Sequence, residues 1–68
     1  MATEHATAEQ FTTWAARAKE MTDAALCYSI RDCHQAAKAM ASFNPIKEGY
    51  YRDEASVYHQ ELSRRLAA

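Results

Sequence analysis

The sequence predicts an all-α fold: an antiparallel helical hairpin over about 23–43 and 46–66, preceded by a shorter helix over about 8–21. Three observations carry this reading. Fifteen of the 68 residues are Ala, the best helix former, whereas only Ile30, Ile46, Val57 and five Thr are β-branched. Apolar residues recur at spacings of three and four along most of the chain. A single proline, Pro45, preceded by Asn44, divides the last two apolar stripes.

The first helix opens with a capping box, Thr7 followed three residues later by Gln10, just before Phe11. Residues 1–6 are then expected to be a frayed tail of a single domain that spans 1–68. Phe11, Trp14, Ala18, Met21 and Ala25 form one apolar stripe, with Arg17, Lys19 and Glu20 off it. A second stripe, Leu26, Ile30, Cys33, Ala37 and Met40, lies roughly 110° around the axis from the first at 100° per residue. The phase slips near Thr22-Asp23, both good N-cap residues, so the reading places a break there; one bent helix from 8 to 43 is the alternative, since no Gly or Pro enforces the break. Ala25, Ser29, Asp32, Ala36 and Phe43 continue the first stripe beside the second. That small-residue flank predicts that the second helix is central and covered on two sides.

Pro disfavours helical geometry in the residue before it and suits a first helical position, so the turn falls at Ser42-Phe43-Asn44-Pro45 with Asn44 as cap. Gly49, the only glycine, follows closely: either the helix proper begins near Glu48 or the glycine admits a close neighbour. The last stripe is Tyr51, Ala55, Tyr58, Leu62 and Leu66, widened by Tyr50 and Val57, and Arg64 and Arg65 complement the C-terminal dipole. Two helices of about 20 residues across a short turn pair antiparallel, and the first helix completes a three-helix bundle unless two hairpins dimerise instead.

Composition bounds the function. A lone glycine excludes a phosphate-cradling loop or a dinucleotide fingerprint, which need several. A net charge of −1 supplies no field for concentrating the chain on nucleic acid or an anionic membrane. No apolar run approaches a membrane span, and Met1-Ala-Thr-Glu-His5 lacks the features of a signal peptide, so a cytoplasmic location is expected. Cys27 and Cys33, six residues apart on a helix, lie about 120° around the axis, too far for a disulfide, and are expected to be reduced packing residues.

Chemistry-bearing constellations are thin. Neither Glu-x-x-His nor His-x-x-x-His spacing occurs, so no metal site is expected, and His34 and His59 read as ordinary partly exposed side chains. Cys33 stands beside His34, but mid-helix on an apolar stripe, where a thiolate is disfavoured. No catalytic residue, cofactor or small-molecule substrate is expected, and the chain does not read as an enzyme. The candidate interaction surface is Trp14, Tyr50, Tyr51, Arg52 and Asp53, because Trp, Tyr and Arg favour interface hot spots, with Asp32 turned toward it. The competing structural reading puts Trp14 in the core, splits the tyrosine pair between core and rim, and joins Arg52 to Asp53 in a solvated ion pair.

Three wide apolar surfaces on 68 residues exceed what one hairpin hides, which predicts a non-enzymatic interaction or assembly module, a homo-oligomer or the partner of another protein. The alternative is a small helical DNA-binding or regulatory protein, of a size common among phage and mobile-element accessory proteins. It would use Arg17, Lys19, Arg31, Lys38, Arg52, Arg64 and Arg65 on phosphates. These basic residues are spread over all three helices and offset by nine acids, so nucleic acid is the less favoured partner.

Overall fold

The computed structural model describes residues 7–67; the expected N-terminal tail, 1–6, lies outside the described residues. Three helices run α1 (Ala8–Glu20), α2 (Asp23–Met40) and α3 (Pro45–Ala67). Each start is made by a local side-chain cap. The Thr7 hydroxyl accepts from the Gln10 amide while the Gln10 side chain accepts from the Thr7 amide, closing the capping box. Thr22 accepts from the Ala25 amide at 3.0 Å and Asn44 from the Lys47 amide at 3.1 Å. Residues 8–43 are therefore two helices, parted at Met21 and Thr22, whose ψ values of 148° and 163° are extended. Gly49 lies within α3, which begins at Pro45 and not near Glu48.

The helices form one up-down-up bundle. The α2–α3 hairpin is the most extensive contact, α1 packs on α3, and α1 and α2 barely touch. The second helix is thus not the central one; α3 is. Its inward residues explain why: Ala55, Val57, Tyr58 and Glu61 are buried over a wide arc because α3 serves two neighbours, and Val57 and Glu61 share a groove with Ala15 and Ala18 of α1. The small flank of α2, left without a covering helix, instead contributes Ser29, Asp32 and Ala36 to an open cleft.

The core is Trp14 and Ala18 from α1, Leu26, Ile30 and Cys33 from α2, and Ala55, Val57 and Tyr58 from α3, with Met21, Tyr50 and Leu62 packed against it. The α2 stripe is as the spacing predicts, with Ala37 also buried. The α3 stripe is not: Leu66 is exposed, and Glu61 is buried in its place. Cys27 is exposed as well, so only Cys33 of the two free thiols is a packing residue. Among the described residues, no helix is long and apolar enough to cross a membrane.

Burying Glu61 requires that its charge be answered, and two arginines answer it. Arg64 donates to it at 2.6 and 3.2 Å, and Arg65 at 2.8 Å. These hydrogen bonds, that from Arg64 foremost, hold the Glu61 carboxyl down to about 2. Arg65 also pairs with Asp23 at 2.7 Å and donates to the carbonyls of Ala18 at 3.0 Å and Lys19 at 3.3 Å. One side chain thereby joins the end of α1, the start of α2 and the last turns of α3. The Ala18 carbonyl also accepts from the Met21 amide at 3.1 Å, so Arg65 adds a second donor there and reaches the carbonyl of Lys19 beside it, at the break after α1.

Candidate functional site

Two regions merit description. The first is the end of the bundle where α1 begins, α2 ends and α3 begins. The Gln10 side-chain amide donates to the Tyr50 hydroxyl at 3.4 Å, which sets the start of α1 beside the start of α3. Four aromatic rings follow one another there edge to face: Phe11 on Trp14 at 5.6 Å, Trp14 on Tyr50 at 5.1 Å, and Tyr50 on Tyr51 at 5.7 Å. Lys47 holds its ammonium 5.6 Å from the Tyr50 ring and 5.9 Å from that of Tyr51, within range of a cation–π attraction.

This end leaves apolar surface uncovered. Phe11 is 38% exposed, Ile46 44% and Phe43 70%. Ile46 belongs to a shallow groove of about 350 Å³, lined also by Asn44, Lys47 and Tyr50. The physical cause is a length mismatch. At about 1.5 Å per residue the 13-residue α1 spans about 20 Å against about 35 Å for the 23-residue α3, so the first turn of α3 projects past α1.

The second region is a cleft of about 170 Å³ at the meeting of the three helices, lined by polar groups from each: Arg17, Ser29, Asp32, Tyr51, Glu54 and Tyr58. Tyr58 donates to Glu54 at 2.7 Å and accepts from Arg17 at 3.4 Å. Burial first, and then the bond to Glu54, pushes the Tyr58 hydroxyl up to about 12, against a smaller opposite pull from Arg17. Cys33 also lines the cleft. Burial, reinforced by the nearby Glu54 and then Asp32, pushes its thiol up to about 12, so thiol and phenol both keep their protons at neutral pH and neither is an activated nucleophile.

The structure divides the residues that the sequence singles out. Trp14 is buried at the heart of the aromatic run, so it supports the surface without forming it. Tyr50 and Tyr51 are both half-buried and point to different regions, Tyr50 to the groove and Tyr51 to the cleft. Arg52 is exposed and pairs with Glu48, one turn back, at 2.8 Å; the expected pair with Asp53 does not form, because adjacent helical residues diverge by about 100°. Asp32 lines the same cleft as Tyr51 and Glu54. His34 and His59 are exposed, and among the described residues no group of three or more His, Cys, Asp or Glu is placed to share a metal ion.

Sequence reasoning missed Phe11, Ile46 and Lys47 as surface residues. Phe11 sits on the α1 stripe and reads as core; Ile46 and Lys47 belong to the first turn of α3, where both are exposed. Compared with family models, with characterised proteins and with solved structures, the chain finds no match.

Proposed function

We propose that this chain is a non-enzymatic protein-interaction or assembly module of the cytoplasm, and that it self-associates through the aromatic end of its bundle. One observation carries the reading: Ile46 stands exposed on a groove with Lys47 and Tyr50, at the end of the bundle that also exposes Phe11 and Phe43, and large apolar side chains left exposed at one end are the usual mark of an interface. Rings fixed against one another lose little freedom on binding.

A second copy suits this end for three reasons. A two-fold pairing places the same apolar patch on both sides. The end carries Lys47 and, in the first turn of α1, Glu9, so symmetry can oppose unlike charges, and a net charge of −1 raises little repulsion between copies. A small stable interface takes about 600 Å² from each partner, roughly an eighth of the 4712 Å² surface. The two free thiols, Cys27 and Cys33, fit a reducing compartment. The DNA-binding alternative draws less support, since Arg52, Arg64 and Arg65 are committed to carboxylates and Arg17 to Tyr58.

Light-scattering mass after size exclusion, in reducing buffer across a wide concentration range, tests the proposal. The expected result is a dimer that dissociates on dilution and that Ile46→Asp weakens at least tenfold, because a charge then enters an apolar contact. A mass of 7.7 kDa at every concentration overturns self-association.

A further inference from the structure

We infer that α1 is an exchangeable arm: the surface of α3 that receives it also receives the α1 of a second copy, giving a dimer in which residues 8–40 form one continuous helix. The inference goes beyond the reading above and needs no pairing of two aromatic ends: the contacts exchanged lie along α3 and include that of Trp14 on Tyr50.

Three features of the hinge lead there. Met21 and Thr22 already have φ values of −86° and −72°, inside the helical range, so only their two ψ angles separate the break from a continuous helix. Neither residue is Gly or Pro, and the sequence from 8 to 40 contains none, so nothing in the backbone forbids the straight form. Besides the Met21 amide on the Ala18 carbonyl at 3.1 Å, what holds the break is side-chain chemistry: the Thr22 cap on the Ala25 amide, and Arg65 on the Ala18 and Lys19 carbonyls. In a continuous helix those two carbonyls accept instead from the amides of Thr22 and Asp23, four residues on, so the polar groups are satisfied either way.

The arm is held by α3 and hardly by α2. It buries Trp14 and Ala18, sets Trp14 on Tyr50, and is joined to α3 by Arg65 and by hydrogen bonds of 3.4 Å from Gln10 to Tyr50 and from Arg17 to Tyr58. Straightening the hinge carries α1 off the end of its own α2 by about 20 Å and leaves Trp14 without a partner. A vacated α3 on another chain offers Tyr50, Val57, Tyr58 and Glu61 in the arrangement that α1 already fits, so an exchange restores the side-chain contacts along α3, while the hinge trades the Thr22 cap and the Arg65 bonds for helical backbone bonds.

The test is to refold the full chain from denaturant at millimolar and at micromolar concentration and to measure mass by light scattering after size exclusion, for wild type, Asp23→Pro, Thr22→Ala and Ile46→Asp. Pro is welcome at the first position of α2, after the extended Thr22, but not inside a continuous helix. Asp23→Pro is therefore expected to weaken the exchanged dimer roughly a hundredfold or more. Thr22→Ala, which removes the cap and favours helix, is expected to raise the dimer fraction, and Ile46→Asp to leave a slowly dissociating dimer in place. A dimer that survives Asp23→Pro but is lost in Ile46→Asp overturns arm exchange while sparing association through the aromatic end. Absence of a slowly dissociating dimer in both wild type and Thr22→Ala refolded at millimolar concentration also overturns it, whatever Asp23→Pro does.

Discussion

Replacing Tyr58 with Phe removes one oxygen from the centre of the molecule and leaves the ring in place. The phenol donates to the Glu54 carboxylate at 2.7 Å from a side chain that is almost wholly buried. A hydrogen bond to a charged acceptor contributes about 1.5–3 kcal/mol, and the weaker bond from Arg17 at 3.4 Å adds little. Glu54 lines an open cleft, so water can reach the carboxylate once the hydroxyl is gone, which places the loss near the lower end, about 1.5 kcal/mol. For a chain of this length each kcal/mol moves the midpoint by about 4–8 °C, so Tyr58→Phe is expected to melt about 6–12 °C below wild type. The assay is a helical circular-dichroism melt at neutral pH in reducing buffer. Tyr28→Phe, at a residue 71% exposed, serves as the comparison and is expected to stay within about 0.5 kcal/mol of wild type. Equal midpoints for the two variants would refute the placement of the Tyr58 hydroxyl on Glu54.

Other expectations follow from the same contacts. Glu61, held down to about 2 from an ordinary 4.5, stabilises the fold above pH 4.5, and that contribution is lost as pH falls toward 2; Glu61→Gln is expected to lower the neutral-pH midpoint and flatten the acid limb of midpoint against pH. Cys33 and Tyr58 act at the other extreme, because the unfolded chain ionises near 9.0 and 10.0 while the folded groups hold their protons to about 12, so stability is expected to fall between pH 9 and 12, and less steeply in Tyr58→Phe. A thiol reagent at neutral pH is expected to label one cysteine quickly, the exposed Cys27, and Cys33 only at the rate of opening; equal rates would contradict the burial of Cys33. Leu26→Ala, at a fully buried side chain, is expected to cost about 2–5 kcal/mol, enough to leave a domain of this size largely unfolded on warming, as a melt would show.

The helix boundaries were legible because the signals that make them are local. The Thr7–Gln10 box, the Thr22 cap and the Asn44-Pro45 start each act over three residues, and the structure places α1, α2 and α3 within a few residues of where those signals put them. The candidate surface was legible only in part. Tyr50 was found by composition; Ile46 and Lys47, four and three residues before it, share its face of α3, and that this face stays uncovered, with Phe11 joined to it through Trp14, follows from a short α1 docked partway along α3.

By itself, then, the sequence determined the helical class, the start of α1, the inward stripe of α2 and the turn at Pro45, all set by propensity and by bonds spanning three or four residues, while it left one bent helix over 8–43 open, which the structure resolves as two. Tertiary structure alone decided that α3 is the central helix, that Glu61 is buried while Leu66 is not, and that Arg65 ties together residues 42 to 47 positions away. The physical reason is that a buried carboxylate and a long arginine are unfavourable taken singly. They become favourable only when packing brings a second charge and the carbonyls at the end of α1 to the same point, and no local pattern encodes that meeting.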